Sequence, residues 1–141
     1  MKRWVNYTVL IALIIAVTMC TACTSEPTLR GLVSSQEMIN ALSSGDIEEA
    51  WNPVYEAGAA SDLKDRLGEY SELIDGREIS RCDCVNYSVI GDDRGPGNYE
   101  EITQYKVTLN DQTVLYAQAT CIRDENGEGI IDLQLFEESP W

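Results

Sequence analysis

The apolar residues of this chain change their spacing once, near Gly76, and that change limits what it can fold into. Upstream, from Ser34 to Gly76, the spacing is helical. Ser34 and Glu37 stand at capping-box distance, with Met38, Ile39 and Leu42 as the stripe that follows. Ser44-Gly45 breaks the run. Asp46 with Glu49 opens a second helix carrying Ile47, Ala50, Trp51 and Val54 on one side, and Pro53 kinks or restarts it. After a break at Gly58, Ser61 caps a third helix with Leu63, Leu67, Tyr70 and Ile74, and Gly76 ends it.

Downstream of Arg77 the period is two. Val85, Tyr87 and Val89 alternate with Cys84, Asn86 and Ser88. Beyond a Gly/Pro/Asp loop (Gly91 to Asn98), Tyr105, Val107 and Leu109 alternate with Gln104, Lys106 and Thr108. Asn110-Asp111 reads as a hairpin turn into a strand running from Val114 and Tyr116 to Ile122. Asp124 to Gly129 holds a second turn at Asn126-Gly127, and Ile131, Leu133 and Leu135 mark the last strand. Neither layer hides its apolar side alone, so the two must share a core. The expected fold over 34–141 is α+β, with N-terminal helices packed on a curved antiparallel β-meander of about four strands. Trp51, Leu63, Leu67, Val107 and Leu133 are expected inside.

Residues 1–22 read as an export signal. Lys2 and Arg3 supply the positive start, and Val9 to Met19 is an apolar run of 11 residues. That is signal-peptide length, short of the ~20 residues of a comfortable membrane span. Extending the run back to Trp4 leaves a retained membrane helix as the alternative. Cys20-Thr21-Ala22-Cys23 resembles a bacterial lipobox, in which a small residue precedes a cysteine that is acylated and becomes the new N-terminus. The resemblance implies lipidation at Cys23, with Cys20 standing where leucine is usual. Cys20 is the poorer acceptor, because bulky Met19 precedes it. The alternative is cleavage after Ala22 with Cys23 left as a free thiol. Two acyl chains would suffice for stable anchoring. Residues 23–33 then read as a lipidated tether, polar and flexible from Thr24 to Gly31.

The formal charge is −14, and loss of Lys2 and Arg3 with the signal makes the remainder more acidic still. Phosphate backbones and anionic head groups repel such a surface. Nucleic acid is therefore excluded as a partner, and attachment to a membrane requires the lipid anchor. The 44% apolar content argues against disorder despite the charge. The sequence contains no histidine. That removes Ser-His-Asp and Cys-His nucleophile pairs, the usual base near neutral pH and the commonest zinc ligand.

The phrase Ala41-Leu42-Ser43-Ser44-Gly45-Asp46-Ile47-Glu48-Glu49-Ala50-Trp51 resembles the opening of small nuclear-transport-factor-2-like domains. Those begin with a helix, a Gly-Asp break and a second helix. Gly129 to Glu137 is similar to their closing strand, and the likeness covers roughly Gln36 to Glu138. It implies a cystatin-related cone and a concave sheet pocket. The family's enzymes use Asp and His in that cavity, and with no His here the likeness carries over no activity.

Cys82, Cys84 and Cys121 are the cysteines of the domain. Outside the cytoplasm a disulfide from Cys121 to Cys82 or Cys84 is expected, the alternative being three buried free thiols. A zinc site would need a carboxylate as fourth ligand and is not expected. Asp124, Asn126, Glu128, Gly129 and Asp132 partly echo a calcium loop. Leu135 stands where the bidentate acid belongs, so the hairpin is the preferred reading. Trp51, Tyr55 and Tyr70 read as core, with a pocket lining as the alternative. Glu48, Glu49, Glu100, Glu101, Glu137 and Glu138 read as a solvated face.

No catalytic residue, metal or cofactor is assigned. The observations imply an extracytoplasmic, lipid-anchored accessory or binding protein for a small molecule or a protein partner. The alternatives are an enzyme working through carboxylates in a sheet pocket, and a structural envelope protein.

Overall fold

A computed structural model describes residues 27–91 and 97–141. The export signal and Cys23 lie outside the described residues. Among the described residues three helices come first, α1 (Pro27–Ser44), α2 (Ile47–Trp51) and α3 (Leu63–Ile74). Four strands follow, β1 (Ile79–Gly91), β2 (Tyr99–Leu109), β3 (Val114–Asp124) and β4 (Gly127–Phe136). The sheet order is β1-β2-β3-β4 with every pair antiparallel. The expected α+β architecture is therefore observed.

The inner face of the sheet reads directly from the two-residue period. Tyr105, Val107 and Leu109 of β2 and Leu115, Ala117 and Ala119 of β3 are buried in alternation. Ile130 and Leu133 of β4 join them, and Met38, Ile39, Leu42, Leu63, Leu67 and Ile74 cover them from the helices. One residue is extra in β1 at Ser80 and another at Val85, and one in β4 at Ile131. Such bulges bend and twist the strand that carries them. The one at Val85 reverses the parity of β1: Cys82 and Cys84 face inward before it, and Tyr87 and Val89 after it. Val85 and Val89, expected on one apolar side, are both exposed.

Helix α1 begins at Pro27, well before the Ser34–Glu37 spacing that suggested its start. The segment from Pro27 to Gly31, expected as flexible tether, is helical. Serines inside a helix satisfy themselves by donating to a preceding carbonyl, and Ser35 Oγ does so to Gly31 O. Asp46 caps α2 as expected, its carboxylate accepting the Glu49 amide at 2.9 Å. The helix ends before Pro53, which stands outside it. Helix α3 stops where Asp75 and Gly76 take left-handed φ values of 53° and 67°.

Trp51 corrects the core expectation, whereas Leu63, Leu67, Val107 and Leu133 are buried as expected. The indole is half-buried, donates from Nε1 to Glu56 Oε1 at 3.0 Å, and has the Lys64 ammonium 5.5 Å above its ring. The stretch after α2 runs along the open edge of β4. The Ile130 amide donates to Pro53 O, and the Tyr55 and Ala60 amides donate to Ile130 O and Ile131 O, each at 2.9 Å. Unpaired strand edges invite foreign pairing, and this stretch occupies one of the two. Arg66 fastens α3 to the same strand through Leu133 O at 2.7 Å and Asp132 Oδ1 at 2.6 Å.

Candidate functional site

A cavity of about 520 Å³ opens where the start of α1 meets the edge stretch and the ends of β2, β3 and β4. Gly31, Val33 and Ser34 come from the helix, Asn52, Pro53 and Val54 from the edge stretch, and Tyr99, Cys121, Glu128 and Gly129 from the strands. The volume lies within the range of small-molecule sites, ~300–1,000 Å³. Gly129 is what lets two of these walls meet. Its φ is 156°, and a Cβ there would stand 2.7 Å from Pro53 O. Only a residue without a side chain permits that approach.

Glu101 lies behind the cavity. The register places it opposite Cys121 on the inner face, in the row that continues to Thr103, Tyr105, Val107 and Leu109. Its exposure is 0%, and neither carboxyl oxygen has a hydrogen-bond partner. The start of α1 rests on it: a Cβ on Gly31 would fall 2.6–2.7 Å from both oxygens and the carboxyl carbon. Burial raises the Glu101 pKa to about 6, and the Tyr87 phenol nearby lowers it by less. No hydrogen bond of regular geometry joins that phenol to the carboxyl group, since the Tyr87 hydroxyl is also unpartnered. Reading Glu101 as part of a solvated face is thus corrected. The signal was present, because the alternation that marks Tyr105 and Val107 reaches Glu101 when carried back along the strand.

The surroundings of Glu101 report the same burial. The Cys121 thiol is pushed up to about 12, by desolvation first and by the charges of Glu101 and Glu128 after it. Tyr87 is raised to about 12 by burial and then by Glu101, and Tyr99 is raised by burial first. At the rim, Glu128 lies 3.8 Å from the Arg123 guanidinium.

The expected disulfide is overturned. Cys82, Cys84 and Cys121 are all free. Cys84 stands opposite Tyr105, which faces Ala117, whereas Cys121 lies four positions further along β3. Two strand spacings and that offset put the Cα atoms on the order of 15 Å apart, far beyond the ~7 Å limit of a disulfide. Burial holds Cys82 up at about 11, and Cys84 is exposed on the edge strand.

Trp51, Tyr55 and Tyr70 do not gather in the cavity. Tyr55 instead donates its hydroxyl to Asp124 Oδ1 at 3.1 Å and pins the edge stretch to the last hairpin. That hairpin forms as read: Asp124 Oδ1 accepts the Asn126 and Gly127 amides at 2.8 and 3.0 Å. Asp132, counted in the calcium echo, turns to Arg66 instead. Among the described residues no group of three acids or thiols is placed to hold a metal ion. Among the described residues, likewise, no helix is long and apolar enough to cross a membrane. No family profile matches the chain, and no curated protein matches it in sequence.

Proposed function

We propose that this chain is an extracytoplasmic, lipid-anchored binding protein that takes a small molecule into the cavity at the start of α1. The observation that carries the reading is the cavity itself, of small-molecule size and walled by three separate parts of the fold. The anchor rests on the apolar run followed by Ala22-Cys23. The Gly45-Asp46 break between two helices and the closing strand support a nuclear-transport-factor-2-like domain, a fold with a concave sheet pocket. Binding is favoured over turnover by what the walls hold. The thiol of Cys121 stays protonated near neutral pH, and the chain has no histidine to activate it. A carboxylate enzyme is the second reading: the Glu101 carboxyl lies against Gly31 of the cavity wall, and burial raises its pKa to about 6.

Fluorescence titration with N-phenyl-1-naphthylamine, a neutral apolar reporter, tests the proposal. Saturable binding is expected at roughly micromolar concentration, weakened about tenfold or more by Val33→Trp at the exposed rim. Circular dichroism should show that variant folded. Absence of saturable binding, or the same affinity in Val33→Trp, overturns the reading. A turnover abolished by Glu101→Gln in a folded chain would select the enzyme instead.

A further inference from the structure

The first turns of α1 are held to the sheet by little. From Met38 onward the core fixes the helix, and Met38, Ile39 and Leu42 are buried in it. Before Met38, among the described side chains, apolar cover comes from half-buried Leu32, while Val33 is exposed. The Tyr105 hydroxyl supplies a polar tie, 3.2 Å from Leu32 O and 3.1 Å from Ser35 Oγ. Gly31 rests directly on the Glu101 carboxyl group, with no side chain between them. Glycine also weakens the helix it stands in, because its backbone has the most freedom to regain. Segments with so few buried contacts open on their own, ahead of the rest of a domain.

Under this segment both oxygens of Glu101 are buried without a donor. A neutral carboxyl tolerates that far better than a carboxylate, whose charge must find water or donors. Strand β2 cannot move to supply them, because it is hydrogen-bonded to β1 on one side and to β3 on the other. Its cover can move. We propose that the start of α1, residues 27–35, is a proton-held latch: it lies shut on the sheet while Glu101 is neutral, and it swings off about the core-bound turn at Met38 when Glu101 ionises, letting water reach the carboxylate. Gly31, Val33 and Ser34 leave with it, so the cavity is complete only while the latch is shut. The inference goes beyond the binding reading and requires no ligand. The groups facing Glu101 are Tyr87 on β1, Tyr99 on β2 and Cys121 on β3, with Arg123 of β3 and Glu128 of β4 paired beyond them at the open end. The side chains of residues 32–35 of α1 carry no charge. Burial holds Tyr87 and Cys121 at about 12 and Tyr99 above its ordinary value, whereas Glu101, at about 6, changes charge near neutrality.

Hydrogen exchange of the full chain, followed amide by amide and corrected for the intrinsic effect of pH, tests the latch. The opening equilibrium of the amides of residues 32–35 should rise about twentyfold between pH 4 and pH 7.5, as a carboxyl moved from 4.5 to about 6 dictates. At pH 7.5 these amides should exchange well ahead of the α3 amides of residues 67–74, because the segment opens by itself. In Glu101→Gln the opening should not change with pH. An opening equilibrium that stays flat across pH 6 in the native chain overturns the inference. So does a rise of the same size in Glu101→Gln, or protection at the start of α1 equal to that of α3 at pH 7.5. The flat profile and the equal protection are read in the unaltered chain, so the test holds even if Glu101→Gln does not fold. No ligand enters these measurements, so the latch stands or falls apart from the binding reading.

Discussion

Glu101 binds its proton more tightly in the folded chain than in the unfolded one, because burial disfavours the charge. Its contribution to stability is therefore complete below the ordinary value of 4.5 and is lost as the pH rises through about 6. The difference amounts to about 2 kcal/mol, at 1.36 kcal/mol per pH unit. Glu101→Gln stays neutral throughout, so it should match the native chain in urea unfolding at pH 4.5 and exceed it by about 2 kcal/mol at pH 7.5. The same stability difference at both values would show that the carboxyl is not desolvated as described. This residue was legible in part. Its strand position follows from the alternation, but the absence of a partner does not, because no pattern in a single strand reveals what a distant helix brings. Gly31 illustrates the point: in sequence it reads as a tether residue, and in the fold it is the surface that seals the carboxyl group.

The strands were the most legible elements, since a one-residue slip would turn a whole buried row to solvent. The bulges were not. Each depends on hydrogen bonding between neighbours, and the one at Val85 changes which residues of β1 face inward. The cysteines show the cost of missing register: compartment and parity suggested a bridge, and the distance along the sheet forbids it. Mass spectrometry after alkylation in denaturant, without reductant, should find Cys82, Cys84 and Cys121 all modified. Under native conditions exposed Cys84 should react first and buried Cys121 last. A bridged pair that blocks alkylation would contradict the register. The start of α1 was missed for a related reason: Ser34 and Glu37 have capping spacing, yet the serine beside them bonds back to the helix that already precedes it.

At the scale of the molecule, the helices-then-strands order was enough to give the α+β class. The edge stretch from Pro53 to Ala60 was not legible, because its hydrogen bonds to β4 use backbone groups that any sequence carries. That stretch brings Pro53 and Val54 to the cavity wall, so the cavity was foreseen only as a concave sheet. The attachment of the molecule has its own test. In cells fed a fatty-acid analogue, Cys23→Ala should abolish labelling and Cys20→Ala should retain it. Labelling that depends on Cys20 alone would move the anchor.

Helix α1 both carries the mouth of the cavity and leads back toward Cys23. With that cysteine acylated, the chain from Cys23 to Pro27 reaches at most about 14 Å, and the helix adds about 9 Å before Val33. If the chain is anchored there as proposed, the mouth would be on a short leash, sweeping a thin layer of solution above the head groups. Solutes free in the bulk would meet it only by entering that layer. The leash would then convert a search through a volume into the sampling of an interface.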